Sequence, residues 1–371
     1  MIKPPLLIRA DADARMGNGH LMRCFALAQQ WQSEAGEVAF VSYCESARLR
    51  QRIEAAGMDF TEVSKTYPNR LDLETTLERL ARLKDGHAQR TAPRVVLDGY
   101  HFDEHYQQAI KSAGYPLLVL DDTVRLKHYY ADALLNQNLN AEQLAYQCDP
   151  ETELLLGARF VLLRPEFMVW RAWRRDVPDV ARKLLITMGG ADPDNVTYQV
   201  LRAVQHLTVP DLEAVVLVGA NNPHYEALQK FVADSQPIAD QAEGQKTGGI
   251  RLVRDAHNVP DLMAWADLAV TAGGSTCWEM AFMGLPSITL ILADNQSAIA
   301  ENLHEAGAVV NAGWHDKVTL TSLVETLELL IADAGKRRRM SERGRTLVDG
   351  LGAERVAHAL TSQWRESPVN I

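Results

Sequence analysis

Leu6-Leu7-Ile8-Arg9-Ala10-Asp11, then Gly17-Asn18-Gly19-His20, then Leu21–Trp31: an apolar run, a glycine turn and a helix-like stretch follow one another near the start of the chain. Two glycines let the backbone turn sharply and pass close to a ligand, Gly17 in the turn and Gly19 at its exit. A helix that starts there offers free N–H groups and a partial positive charge at the turn. That field disfavours imidazolium, so His20 is expected to be neutral and able to accept a proton. A neutral base on a glycine turn suggests catalysis. The plainer reading is a tight strand-to-helix turn whose histidine caps the helix, and short glycine motifs alone do not decide between the two.

Outward from this stretch, short apolar runs alternate with amphipathic segments. Strands are expected at Leu6–Arg9, Val38–Ser42, Arg94–Leu97, Leu117–Leu120 and Ala133–Leu135 in the first half. Helices fit at Leu21–Ser33, Ala47–Ala56, Leu71–Leu83 and Glu104–Ala113. The second half repeats the plan. Its strands are Lys183–Thr187, Ala214–Val218, Arg251–Val253, Leu268–Thr271, Ser287–Leu290 and Ala308–Val310. Its helices are Asn195–His206, Tyr225–Ala233, Val259–Ala264, Thr276–Met283, Ser297–Ala306 and Leu320–Asp333. Apolar runs without polar alternation, separated by helices, point to parallel sheets covered on both faces. Pro165 and Pro178 bound a stiff connector, so the expected domains are 1–165 and 166–371. Asp240–Gly249 reads as an exposed loop. Two doubly wound α/β domains in series usually leave a cleft at the carboxyl ends of their strands, where ligands bind.

The chain has 371 residues, 47% hydrophobic and 23% charged, which suits two soluble globular domains. A formal net charge of −10 argues against nucleic acid as the main partner. No run is long and apolar enough for a membrane span, and Met1–Pro5 leads into a strand instead of a signal-peptide core, so a cytoplasmic protein is expected. Cys24, Cys44, Cys148 and Cys277 lie far apart without a Cys-x-x-Cys pair, and reduced structural thiols are the better reading.

Three polar segments of the second half fall where strands end. They are Met188-Gly189-Gly190-Ala191-Asp192-Pro193, Thr271-Ala272-Gly273-Gly274-Ser275-Thr276-Cys277-Trp278-Glu279 and Ala293-Asp294-Asn295-Gln296. Glycines at a helix N-terminus expose N–H groups to an anion, and Ser275 and Thr276 add hydroxyls. Glu279, one turn on, suits a ribose; a Thr276-x-x-Glu279 capping box would need no ligand. Three such segments in one half-chain favour a nucleoside diphosphate site. Arg254 and the loop through His257 follow another strand and could meet a base edge, although His257 alone reads as a loop residue.

In the first half, Asp98-Gly99-Tyr100-His101 and Asp121-Asp122 also follow strands. Paired aspartates there can be base partners, metal ligands or caps, and polar ligand contacts are favoured because no further ligand at metal spacing accompanies them. Arg9 and Asp11 point to the same edge, where Asp11 could orient His20.

Ile8-Arg9-Ala10-Asp11 with Gly17-x-Gly19-His20-x-x-Arg23 resembles the UDP-2,4-diacetamido-2,4,6-trideoxy-β-L-altropyranose hydrolase family of pseudaminic acid biosynthesis. Gly189-Gly190-Ala191-Asp192-Pro193, Gly273-Gly274-Ser275-Thr276-x-x-Glu279 and Asp294-Asn295-Gln296 match in the same order. The resemblance implies a GT-B fold of two Rossmann-like domains facing a central cleft. It implies hydrolysis of a UDP-sugar by water, with no metal, no cofactor and no obligate protein partner. His20 would be the general base, with Gly19 giving close backbone approach. Ser275 and Thr276 would hold the diphosphate, Glu279 the ribose, and Asn295 and Gln296 the phosphate or sugar. Gly17, Arg9, Asp98, Tyr100, Gly190, Asp192, Arg254 and Gly274 would complete the substrate contacts. One position departs: the family's Asp-x-Tyr element typically carries a bulkier polar residue, often histidine, where this chain has Gly99. A GT-B glycosyltransferase and a non-catalytic UDP-sugar binding protein are the rival readings on the same fold.

Overall fold

The computed structural model describes residues 3–13, 16–85, 92–190, 192–219, 222–235, 249–256 and 258–361. The chain forms two compact units; the first runs to Pro165 and takes the chain back from Gly350, and the second is Glu166–Asp349.

In the first unit, β1 (Leu6–Ala10), α1 (Gly19–Ser33), β2 (Val38–Ser42), α2 (Ala47–Ala55), β3 (Asp59–Glu62) and α3 (Arg70–Asp85) come first. They are followed by β4 (Arg94–Asp98), α4 (Glu104–Ser112), β5 (Leu117–Leu120), β6 (Ala133–Asn136) and β7 (Glu153–Leu156). The sheet order is β3-β2-β1-β4-β5-β6-β7, with every pairing parallel. Strands β1, β2, β4, β5 and β6 are buried along their whole length, which is why they read as unbroken apolar runs.

The second unit holds β8 (Lys183–Thr187), α5 (Val196–Gln205), β9 (Glu213–Val218), α6 (Tyr225–Ser235), β10 (Ile250–Arg254) and α7 (Val259–Trp265). Then come β11 (Leu268–Ala272), α8 (Thr276–Phe282), β12 (Ser287–Ile291), α9 (Asp294–Glu305), β13 (Val309–Trp314), α10 (Leu320–Ala332) and α11 (Ala334–Leu347). Its sheet order is β10-β9-β8-β11-β12-β13, again all parallel. Both sheets therefore reverse strand order between two central neighbours, β1/β4 and β8/β11, and each reversal opens a crevice at the carboxyl ends of those strands.

The closing helix α12 (Gly352–Thr361) corrects the expectation that residues 166–371 form one domain. Its Val356, Ala357 and Leu360 are fully buried in the first unit's core with Leu21, Cys24, Phe25 and Ala28 of α1. Gly352 permits this return, since a Cβ there would stand 2.1 Å from the Val161 carbonyl oxygen. Strands β3 and β7 and helices α11 and α12 add to the expected elements. The loop expected over Asp240–Gly249 lies, except for Gly249, outside the described residues, as does His257. Among the described residues no helix is long and apolar enough to cross a membrane.

Candidate active site

The first crevice is built by the turn after β1 and the loop after β4. Gly17 sits at φ +75°, its N–H donating to the Asp13 carbonyl at 2.9 Å, while Met16 N–H donates to Asp13 Oδ1 at 2.6 Å. This closes a tight turn that delivers Gly19 and His20 as the first residues of α1. Only a residue without Cβ takes that φ at no cost.

His20 is 6% exposed, and its Nδ1 lies 2.7 Å from Asp98 Oδ1, at the end of β4. A carboxylate oxygen can only accept, so in the neutral ring the proton is assigned to Nδ1 and Nε2 is the acceptor, with Arg23 Nη2 also 3.2 Å from Nδ1. Arg23 follows His20 by one helical turn and brackets the same carboxylate, Nε donating to Asp98 Oδ2 at 2.6 Å and Nη2 to Oδ1 at 2.7 Å. Its Nη1 donates to both oxygens of Asp122 at 3.0 Å. Tyr100 donates its hydroxyl to Asp122 Oδ2 at 2.8 Å and packs its ring edge-on against His20, centroids 4.7 Å apart. Burial alone would raise the Asp98 pKa; the Arg23 and His20 groups beside it more than reverse that, holding the carboxyl far below the usual range. Asp98 is thus a fixed anion that sets the tautomer and orientation of His20.

Asp11 does not touch His20, which corrects the expectation that it orients the base. It accepts from Arg9 Nη2 at 2.9 Å and from Tyr43 N–H at 2.7 Å, and His101 Nε2 stands 2.8 Å from its Oδ2. Burial would raise its pKa too, but His101, Arg9 and the Tyr43 N–H outweigh burial and lower it. Arg9 is fully buried between Asp11 and Asp72, with Nε donating to Asp72 Oδ1 at 2.9 Å. Tyr106 OH donates to the same oxygen at 2.8 Å. Arg9 therefore fastens β1 to α3 and is too enclosed to meet a ligand. Asp121 is likewise spent, accepting from the N–H groups of Thr123 and Val124 at 2.9 and 2.7 Å. Among the described residues no group of three or more His, Cys, Asp or Glu could hold a metal ion.

In the second unit the candidate residues gather after β8, β10, β11 and β12. A Cβ at Gly219 would stand 1.9 Å from Gly190 O, so the chain leaving β9 lies directly on the glycine turn that leaves β8. Asp192 sits inside that turn at φ +45°, and its two oxygens accept from Val196 N–H at 2.8 Å and Thr197 N–H at 3.0 Å. It caps α5, 2% exposed, rather than facing a ligand. Thr276 is the first helical residue of α8 and Ser275 the N-cap, whose hydroxyl makes no cap bond; the Thr276–Glu279 capping box is therefore not the arrangement found. Ser275 and Asn295 are exposed, Thr276 and Glu279 half-buried, and a Cβ at Gly274 would meet nothing within 4 Å. Gln296 Oε1 accepts from Leu292 N–H at 3.0 Å, fixing the turn into α9. Arg254 lies over the Tyr225 ring at 4.7 Å, beside an open hollow of about 290 Å³ lined by Asn222, Pro223, Glu226 and Gln229.

Residues 184–353 match the glycosyltransferase family 28 C-terminal domain. The family 28 stretch contains the second-unit candidates from Gly190 to Gln296, while His20, Asp98 and their partners lie outside it. Over 240 residues the chain is 25% identical to the spore coat polysaccharide biosynthesis protein SpsG of Bacillus subtilis, covering 64% of this chain and 66% of SpsG, just under two thirds of its length. Over 306 residues it is 23% identical to the UDP-2,4-diacetamido-2,4,6-trideoxy-beta-L-altropyranose hydrolase of Campylobacter jejuni, covering 81% of this chain and 97% of the hydrolase. A stretch of 110 residues is 34% identical to a UDP-N-acetylglucosamine--N-acetylmuramyl-(pentapeptide) pyrophosphoryl-undecaprenol N-acetylglucosamine transferase of Xanthomonas axonopodis, covering 28% and 26% of the two chains. Among solved structures, MurG of Acinetobacter baumannii aligns at TM-score 0.65 over 97% of this chain and 100% of its own, at 14% identity. The fold is that of GT-B glycosyltransferases such as MurG: two parallel-sheet, Rossmann-like α/β domains.

Proposed function

We propose that the protein acts on a UDP-sugar, and that it hydrolyses the glycosidic C–O bond of a UDP-linked diacetamido-trideoxyhexose to give UDP and the free sugar. The hydrolase relative aligned over most of both chains supports the substrate class. The observation that carries the reaction is the Asp98–His20 pair, which leaves Nε2 as a base at the sheet's point of strand reversal. Water deprotonated by His20 attacks the anomeric carbon. The second unit takes the UDP, with the glycine turn at Gly190, the N–H groups at Gly274–Thr276 and the hydroxyls of Ser275 and Thr276 for the diphosphate, and Glu279 for the ribose. Asn295 completes the phosphate or sugar contacts. Arg254 takes the base edge. Asp98 and Asp122 are both paired with Arg23, so neither serves as a covalent nucleophile and a single, inverting displacement follows. No metal is required in this scheme.

The second reading is a GT-B glycosyltransferase, favoured by the 110-residue match to the N-acetylglucosamine transferase. The two separate on one assay: release of UDP from the donor sugar alone. Hydrolysis proceeds at full rate with no acceptor, and His20→Asn binds UDP normally but loses on the order of 10²–10⁴-fold in turnover. A transferase releases UDP only when an alcohol acceptor is added.

A further inference from the structure

At residue 99 a side chain would run into the His101 imidazole and the Phe102 ring. A Cβ at position 99 would stand 2.7 Å from His101 Cε1 and 3.1 Å from Nδ1, with Phe102 at 3.0 Å. The imidazole folds back into the volume where a side chain at 99 would begin, its ring 4.1 Å from that of Phe102. Its Nε2 stands 2.8 Å from Asp11 Oδ2, and the side chain remains 18% exposed. The Asp11 carboxylate thus lies beside Nε2, off the line of a hydrogen bond, and the Cε1–Nδ1 edge is the side of the ring turned toward residue 99. Two histidine–aspartate pairs stand at one sheet edge, His20 meeting Asp98 through Nδ1 and His101 meeting Asp11 through Nε2. Tyr100, between Asp98 and His101 in the chain, has its hydroxyl bonded to Asp122.

We propose that His101 is a specificity-determining residue of this site, its Nδ1 accepting a hydrogen bond from an N–H or O–H on the sugar of a UDP-sugar. This rests on the reading of the site as a UDP-sugar site. Asp11 and Arg9 hold the ring in place, and Gly99 keeps its Cε1–Nδ1 edge clear.

Calorimetric titration with UDP and with UDP-N-acetylglucosamine, used as probe, tests this on wild type, His101→Phe, His101→Asn and Gly99→Ala. Phenylalanine keeps the packing on Phe102 and loses the acceptor, whereas the asparagine oxygen falls near the place of Nδ1. His101→Phe should bind UDP within about twofold of wild type and UDP-N-acetylglucosamine about tenfold more weakly, the effect of one lost hydrogen bond. His101→Asn should recover most of that loss. Gly99→Ala, which keeps the histidine but displaces its ring, should show the same selective weakening. An unchanged ratio of the two affinities in all three variants overturns the contact and leaves the UDP-sugar reading standing. Equal weakening of both ligands would reduce His101 to a brace for Asp11. Failure of the wild type to bind either probe overturns both readings together.

Discussion

His20 Nδ1 and Asp98 Oδ1 lie 2.7 Å apart, one at the first turn of α1 and the other at the end of β4, although 78 residues separate them in the chain. The bond joins the two loops that diverge where the first sheet reverses its strand order, and in the neutral ring it leaves the far nitrogen as the acceptor. Arg23 closes on the same carboxylate from α1, so the base, its orienting anion and a balancing cation form one buried unit.

Replacing Asp98 by asparagine should therefore impair turnover far more than replacing Asp11. The amide of Asp98→Asn can present N–H to Nδ1, which shifts the proton to Nε2 and removes the acceptor; a loss on the order of 10²–10⁴-fold is expected. It also strips Arg23 of one buried anion, with an expected cost of about 3 kcal/mol in denaturant unfolding. Asp11→Asn leaves the His20 tautomer intact and should keep turnover within about tenfold of wild type. Steady-state rates for the two variants, beside their unfolding midpoints, check this; equal losses would return Asp11 to the place of orienting residue.

Acid stability carries the same signature. Asp98 and Asp11 both have folded pKa values below the unfolded ones, so their stabilisation is complete above about pH 4 and is lost as pH falls toward the lower folded values. Melting temperature measured from pH 6 downward should drop below about pH 4, and the drop should be shallower in Asp11→Asn. Parallel curves for wild type and variant would contradict this.

Much of the fold was legible because buried parallel strands leave continuous apolar runs; β1, β4 and β8 are such cases. Strand β3, Asp-Phe-Thr-Glu, lies at a sheet edge with its ends exposed and carries no such run. Helix α11 is rich in arginine, and α12 belongs to a core built by residues some 330 positions earlier, which no local pattern reveals. The glycine turn and His20 were visible as a motif. The identity of the anion holding His20 was not, since Asp11 is nearer in sequence and only the pairing of β1 with β4 brings Asp98 to the ring. Arg23 closes the Gly17-x-Gly19-His20-x-x-Arg23 motif, and its spacing of three from His20 puts both on one helix face, but its two aspartate partners come from distant strands. Asp192 looked like a ligand contact because a cap and a contact have the same residue type in sequence.

Asp192→Ala should accordingly cost stability rather than affinity. Its two bonds to the α5 N–H groups are worth about 1–2 kcal/mol as a helix cap. Chemical denaturation should show that loss, while UDP titration shows a change of no more than about twofold. A large fall in UDP affinity with unchanged stability would restore Asp192 to the ligand.

Turnover should survive chelation. Asp121 is bonded to backbone N–H groups and Asp122 to Arg23, so the paired aspartates of the first domain are already committed. Rates after EDTA should match untreated enzyme. Inhibition restored by magnesium or manganese would favour a metal-dependent transferase.

The direct test of water activation by His20 is hydrolysis in ¹⁸O-labelled water, with the products followed by mass spectrometry and early NMR spectra. Attack at the anomeric carbon places the label in the free sugar and none in UDP, and the first sugar seen is the inverted anomer. Label in the UDP phosphate would mean P–O cleavage and would contradict His20 as the base for glycosidic hydrolysis.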